Sequence, residues 1–166
     1  INRVGIIGAG LMASQLALLF LRRYGVPVVM KDIKQEFLDK GLGYIKGELS
    51  ALVSKGRMTK AKADHLFHIT IGTLDWKDFA DCDFVIEAVF EEMPIKQQVF
   101  AQAEEVISPN CVLATNTSSL SVTEMASKLK NPERVVGFHF FNPVAVLPLL
   151  ERSEEHTSEL QSPNTI

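Results

Sequence analysis

Short apolar runs and segments of helical period take turns along the chain, and each change of period predicts an element boundary. Val4–Ile7 reads as a strand, followed by Gly8, Ala9 and Gly10. The next segment is predicted to be a helix that turns Leu11, Leu16, Leu19 and Phe20 inward, carries Arg22 and Arg23 in its last turn and stops at Gly25 before Pro27. Residues 27–30 read as a second strand, running into Lys31 and Asp32. Across residues 33–64, Leu38, Leu42, Ile45, Leu49 and Leu52 recur at helical spacing, which predicts two helices joined around Lys55, Gly56 and Arg57. The period then shortens. Residues 69–71, 84–89, 111–114 and 135–138 read as strands, and residues 94–107 and 121–129 as helices, the second capped by Ser121 with Glu124 three residues on. Strands alternating with helices predict an α/β fold, a doubly wound, mostly parallel sheet with a helical hairpin as an arm.

Composition narrows the class. A chain of 166 residues is one ordinary domain with a sizeable core. Its two cysteines, Cys82 and Cys111, each flank an apolar run and lack metal-ligand spacing, so no metal site is expected. They suit reduced, buried thiols in a bacterial-type cytoplasm or another reducing compartment. A net charge of −3, with no basic face alternating with aromatics, argues against a nucleic-acid partner. No apolar run reaches membrane-spanning length. On the hairpin, Lys46, Lys55, Arg57, Lys60 and Lys62 form either a solvated face or a positive surface for a polyphosphate ligand. His65 and His68 read as structural or exposed. The chain enters a core strand almost at once from Ile1, which suggests that it is cut from something longer.

The candidate chemistry begins at Gly8, Gly10 and Ala13, a G-x-G-x-x-A turn between a strand and a helix. Gly8 permits the tight turn, Gly10 lets the backbone approach a pyrophosphate, and Ala13 lets the helix pack closely on the strand. Leu11 and Met12 open the helix, whose free N–H groups face the phosphates. Asp32, at the end of the second strand, is placed to accept hydrogen bonds from the adenosine ribose. That favours NAD over NADP, since a 2′-phosphate against this carboxylate would cost on the order of several kcal/mol; Lys31 and Lys34 soften the exclusion. In such Rossmann-type sheets ligands sit at the carboxyl ends of the strands. Glu87, Glu91, Asn116 to Ser119 and His139 fall there, and polar groups gathered at strand ends are expected to need a ligand or water. A histidine held by a carboxylate has a defined tautomer and can take a hydroxyl proton near neutral pH. Glu151 lies beyond a Val-Ala-Val-Leu-Pro-Leu-Leu segment able to return as an adjacent strand.

Four separated motifs are then in place: the glycine turn, Ile86-Glu87-Ala88-Val89-Phe90-Glu91, Thr115-Asn116-Thr117-Ser118-Ser119-Leu120 and Gly137-Phe138-His139-Phe140-Phe141-Asn142-Pro143. In this order they resemble the NAD-binding domain of L-3-hydroxyacyl-CoA dehydrogenases, over residues 3–151. Val29-Met30-Lys31-Asp32-Ile33 is more similar to the multifunctional fatty-acid oxidation proteins, in which an enoyl-CoA hydratase domain precedes this one. The resemblance implies oxidation of an L-3-hydroxyacyl-CoA to the 3-ketoacyl-CoA in β-oxidation. By it His139 is the base and Glu151 its partner, Ser118 holds the substrate's 3-oxygen, and Asn142 organises the same site. It further implies that Glu91 and Lys96 line the nicotinamide side and that the hairpin meets coenzyme A. The family's following helical domain, used for dimerisation and for closing the site, is absent from this sequence. Hydroxyacid dehydrogenases of the 6-phosphogluconate type share the glycine turn but use a lysine base, which leaves His139 and its neighbours unexplained. A non-catalytic nucleotide-binding protein is the other alternative, and the presence of Ser118, His139 and Glu151 together speaks against it.

Residues 152–166 are polar, lack periodicity and resemble the in-frame translation of a sequencing-library adapter. They are read as a non-native or disordered tail after a domain of residues 1–151. His156 with Glu154, Glu155 and Glu159 has no core to hold a metal. The chain alone is expected to bind NAD with little turnover.

Overall fold

The computed structural model describes residues 1–140 and 150–153, the last four as backbone. In chain order the elements are β1 (Val4–Ile7), α1 (Leu11–Tyr24), β2 (Val28–Lys31), α2 (Gln35–Ser54), α3 (Lys60–His68), β3 (Thr70–Thr73), β4 (Phe84–Glu87), α4 (Met93–Glu104), β5 (Val112–Thr115), α5 (Val122–Ala126), β6 (Val135–Phe140) and β7 (Leu150–Ser153). The seven strands form one sheet in the order β3-β2-β1-β4-β5-β6-β7. The first six are parallel, and β7 runs antiparallel on β6. The expected doubly wound, mostly parallel architecture is therefore the one found, and α2 with α3 is the expected hairpin arm.

Strands buried on both faces explain the continuous apolar runs of the sequence. Successive residues divide between two cores. Ile6, Met30, Ile86 and Ala114 face Leu16, Leu21, Ile45 and Leu66 of α1 to α3. Ile7, Val29, Val85 and Leu113 face Phe100 and Ala103 of α4 and Met125 of α5. Sequence changes at the boundaries have local causes. The strand expected over residues 84–89 ends at Glu87, where a buried polar cluster begins. The helix expected over residues 121–129 shrinks to α5. Ser121 does cap it, accepting from Glu124 N–H at 3.2 Å, but the Ser127 hydroxyl donates to the Glu124 carbonyl at 2.7 Å and competes with the backbone for the next turn.

The start of β6 is tied to the end of α4. Glu104 accepts from the N–H groups of Lys130 and Asn131 at 2.8 and 3.0 Å and from Arg134 Nη2 at 3.1 Å, while Arg134 Nη1 donates to the Ser108 carbonyl. Burial works to raise the pKa of Glu104, but those N–H groups and the guanidinium outweigh it and hold the carboxyl below its ordinary 4.5. A depressed folded pKa contributes stability in full above the ordinary value and loses it as pH falls through the folded one. The urea midpoint is thus expected to drop with acid below about pH 4, and Glu104→Gln to flatten that part of the profile.

Candidate cofactor and catalytic site

β1 runs into the glycine turn between two neighbours it pairs with. The Gly8 N–H donates to the Lys31 carbonyl at 2.7 Å, and the Ala88 N–H donates to the Ile7 carbonyl at 2.9 Å. Gly8 has φ 116°, and a Cβ there would lie 2.8 Å from the Ala88 carbonyl oxygen, so both conformation and space demand glycine. At Gly10 a Cβ would meet nothing within 4 Å. The space above it is open. α1 begins at Leu11 with no side-chain cap and no acid in its first turn, so its leading N–H groups are left to a ligand. A cleft of about 810 Å³ opens here, bounded by the glycine turn, the first turns of α2, the loop after β4 and Trp76. Gly8, Gly10, Leu11, Met12 and Asp32 all line it. Leu11 departs from its expected inward orientation. It is 55% exposed and stands at the cleft, because the first turn of α1 points at the ligand space and the core face starts at Ala13.

Asp32 has a second duty. Its Oδ2 accepts from the Ala9 N–H at 2.8 Å and its Oδ1 from the Ile33 N–H at 2.7 Å, so the carboxylate also ties down the glycine turn. Each oxygen keeps a lone pair for a ribose hydroxyl. Beside it Lys31 Nζ lies 4.5 Å from the centre of the Trp76 ring, a cation–π contact in the same cleft. Burial lowers the Lys31 pKa against the opposing pull of Asp32 and Asp75. An open glycine, an uncapped helix N-terminus and an acid ending β2 fit a dinucleotide.

Glu87, at the end of β4, finds all its partners within the protein, so the ligand or water expected for it is not needed. Glu87 is fully buried and Lys96 is 1% exposed. Lys96 Nζ donates to Glu87 Oε1 and Oε2 at 2.7 and 2.8 Å, and Glu87 also accepts from the Thr115 hydroxyl and, at 3.2 Å, from the Val89 N–H. Lys96 lies 3.3 Å from Glu91 Oε2. Neither of the two lines the cleft: Lys96 is buried, and Glu91 beside it is partly exposed. Glu91 Oε1 accepts from the Thr117 hydroxyl and, at 3.2 Å each, from the Ser118 N–H and the Ser119 hydroxyl. Burial pushes the Glu91 pKa up, yet the Thr117 hydroxyl, the Lys96 ammonium and the Ser118 N–H together hold it below the usual range. Ser118 itself is exposed.

His139 sits on β6 directly opposite Glu151 on β7 in the antiparallel register. One step earlier, Glu87, Thr115, Gly137 and Ser153 are in register across four adjacent strands. His139 and the Thr117 to Ser119 loop therefore lie just beyond the same row. The Asn116 side chain extends the β5–β6 pairing, its Oδ1 accepting from the Phe140 N–H at 2.9 Å. Asn142 lies outside the described residues, as does most of the segment expected to return to Glu151. Sequence reasoning missed Trp76 and the buried role of Glu87, and it placed Asn116 at a strand end without foreseeing its bond to β6. Only Asn116 carried a local signal, as a side chain with both acceptor and donor directly after a strand.

A parallel sheet whose order reverses beside β1, with the glycine turn at that switch point and an acid ending β2, defines a Rossmann-type dinucleotide-binding domain. The family model for the 3-hydroxyacyl-CoA dehydrogenase NAD binding domain matches residues 3–164, and the chain belongs to that family. The chain is 42% identical over 152 residues to the glyoxysomal fatty acid beta-oxidation multifunctional protein MFP-a of Brassica napus, covering 91% of this chain and 21% of that one. It is 42% identical over 161 residues to the fatty acid oxidation complex subunit alpha of Psychrobacter arcticus, covering 96% and 22%. The solved 3-hydroxybutyryl-CoA dehydrogenase of Escherichia coli superposes with a TM-score of 0.87 at 38% identity, covering 92% of this chain and 32% of that one. The chain thus spans about one-fifth of the length of these curated relatives, which are multifunctional fatty acid oxidation proteins. Among the described residues no helix is long and apolar enough to cross a membrane, and no cluster of side chains suits a metal. Cys82 and Cys111 are buried free thiols, raised by that burial to about 11 and about 12.

Proposed function

We propose that this chain is the cofactor-binding part of an enzyme that oxidises L-3-hydroxyacyl-CoA to 3-ketoacyl-CoA with NAD in fatty-acid β-oxidation. The observation that supports the reading most is the β6–β7 register, in which the backbone of His139 pairs with that of Glu151, with Asn116, two residues before Ser118, bonded to β6 at Phe140. Directly opposed residues of an antiparallel pair share a face of the sheet. Glu151 then fixes the tautomer of His139, and His139 takes the proton of the 3-hydroxyl. Ser118 and Asn142 hold the 3-oxygen. Gly8, Gly10, Leu11 and Met12 receive the pyrophosphate, Asp32 the adenosine ribose, and Glu91, backed by Lys96, the nicotinamide side. NAD, when bound, supplies the two-electron acceptor. The lysines of the α2–α3 hairpin meet the phosphates of coenzyme A.

In the whole protein we place a hydratase domain before this one and a helical dimerisation domain after it. Residues 152–166 are proposed to be non-native, and the 166-residue chain by itself to bind NAD with little turnover. Reduced buried thiols suit a reducing compartment. The test of the reaction is NADH consumption with acetoacetyl-CoA by the longer protein. Turnover supports the assignment, and its absence in a protein that binds NADH sinks it.

Cofactor choice is testable on the chain itself, because its single tryptophan, Trp76, lines the cleft and reports binding by fluorescence. NADH is expected to bind at least about tenfold tighter than NADPH, and Asp32→Asn to remove most of that preference. Equal affinities in the wild type would contradict the role of Asp32. Asp32→Asn is also expected to slacken the Ala9 turn, since a weaker acceptor replaces the carboxylate that the Ala9 N–H now meets.

A further inference from the structure

Glu87 cannot touch a ligand, for no part of it reaches the surface. Its whole effect must pass through the groups it holds. The strongest of these is Lys96, bound through both carboxylate oxygens at 2.7 and 2.8 Å. Lys96 also lies 3.3 Å from Glu91 Oε2. The other oxygen, Oε1, takes all three donors of the next loop: the Thr117 hydroxyl, the Ser118 N–H and the Ser119 hydroxyl. Thr115 closes the circuit, donating its hydroxyl to Glu87 while accepting the Thr117 N–H at 3.2 Å.

We propose that Glu87 is a positioning residue, which by binding Lys96 leaves Glu91 free to hold the loop of Ser118 and to meet the nicotinamide half of the cofactor. The inference rests on the reading of this site as a nicotinamide-dependent dehydrogenase. The physical basis is competition for one buried cation. With Glu87 charged, Lys96 has a full partner and makes only a longer contact with Glu91. With Glu87 neutral, Glu91 is the remaining anion within reach, and Lys96 draws its carboxylate away from the three loop donors. In a doubly wound sheet the dinucleotide crosses the switch point beside β1, so its adenosine half lies over β1 and β2 and its other half over β4 and β5. A change at Glu87 should therefore be felt by only one half of the ligand.

The test uses Glu87→Gln and the double variant Glu87→Gln/Lys96→Met in the 166-residue chain. The double variant removes the buried pair together and so stays folded if the single variant does not. In Glu87→Gln, amide exchange by NMR is expected to quicken at Ser118, by roughly tenfold, and to stay unchanged at Gly8 and Ala88, whose N–H groups bond to the β1–β2 and β1–β4 junctions; in the double variant, which has no Lys96 to draw Glu91 away, exchange at Ser118 is expected to return to near the wild-type rate. In Glu87→Gln, NADH affinity is expected to fall roughly three- to tenfold, the equivalent of one lost hydrogen bond, while ADP-ribose affinity holds. Exchange that quickens at all three amides together marks general loosening and overturns the proposal. So does wild-type exchange at Ser118 in a folded Glu87→Gln, fast exchange at Ser118 in the double variant, or an equal loss of NADH and ADP-ribose affinity. A wild-type chain that binds neither ligand defeats the dehydrogenase reading instead, and leaves the exchange result at Ser118 to judge the contact network by itself.

Discussion

Replacing His139 by Gln is expected to slow acetoacetyl-CoA reduction about 10²–10⁴-fold, the usual worth of a positioned acid–base group, with NADH affinity unchanged. The assay needs a chain with the substrate-closing region, such as the longer protein or a chimaera with the downstream part of a similar solved dehydrogenase, and the unsubstituted version sets the reference. The two halves of the prediction have separate origins. The cofactor cleft is lined by the glycine turn, α2 and the loop after β4, and His139 is not part of that lining. On the proposed role of His139, losing its imidazole removes proton transfer and leaves the lining of the cleft intact. Glu151→Gln should act in the same direction but less strongly, because an amide opposite His139 can still accept a hydrogen bond while no longer favouring the imidazolium. A rate within tenfold of the reference for His139→Gln would assign the base elsewhere, and a parallel loss of NADH affinity would make His139 a cofactor residue.

How much of this was legible in the sequence depended on how local each feature is. The unit from Val4 to Asp32 was readable because strand, turn, helix and strand follow one another and each glycine answers to its own backbone geometry. The same locality made the hairpin of α2 and α3 readable from apolar spacing. Leu11 was misread because periodicity counts it with the inward stripe, although the first turn of α1 opens onto the cleft. Glu87 was misread for the opposite reason. Charged residues at strand ends suggest a ligand, and nothing in the spacing tells that the side chain of Lys96 folds back from α4 into the dry end of β4. Trp76 was invisible as a site residue, since it reaches the cleft only through the short turn that follows β3. The pairing of His139 with Glu151 lay between these cases, predicted from an apolar return segment and dependent on a register that only the strand pairing fixes.

The buried pair of Lys96 with Glu87 makes a sharp stability prediction. Lys96→Met is expected to destabilise the chain by about 3–5 kcal/mol, measured from urea midpoints, because it strands a carboxylate in a site with no access to water. Glu87 would keep only the Thr115 hydroxyl and the Val89 N–H, against the two short ammonium contacts it has now. Against a typical total of about 5–15 kcal/mol that loss brings the domain near its unfolding limit. Adding Glu87→Gln to the same chain should return most of the stability, since an amide and a thioether impose no charge on the core and replacing both members of a buried pair is often close to neutral. The order of stabilities decides what Lys96 is for. A lysine serving only as a contact for the cofactor would leave the urea midpoint untouched when replaced and would weaken NADH binding alone. A lysine that exists to neutralise Glu87 must show the large single loss and the rescue by the second substitution, whatever happens to NADH.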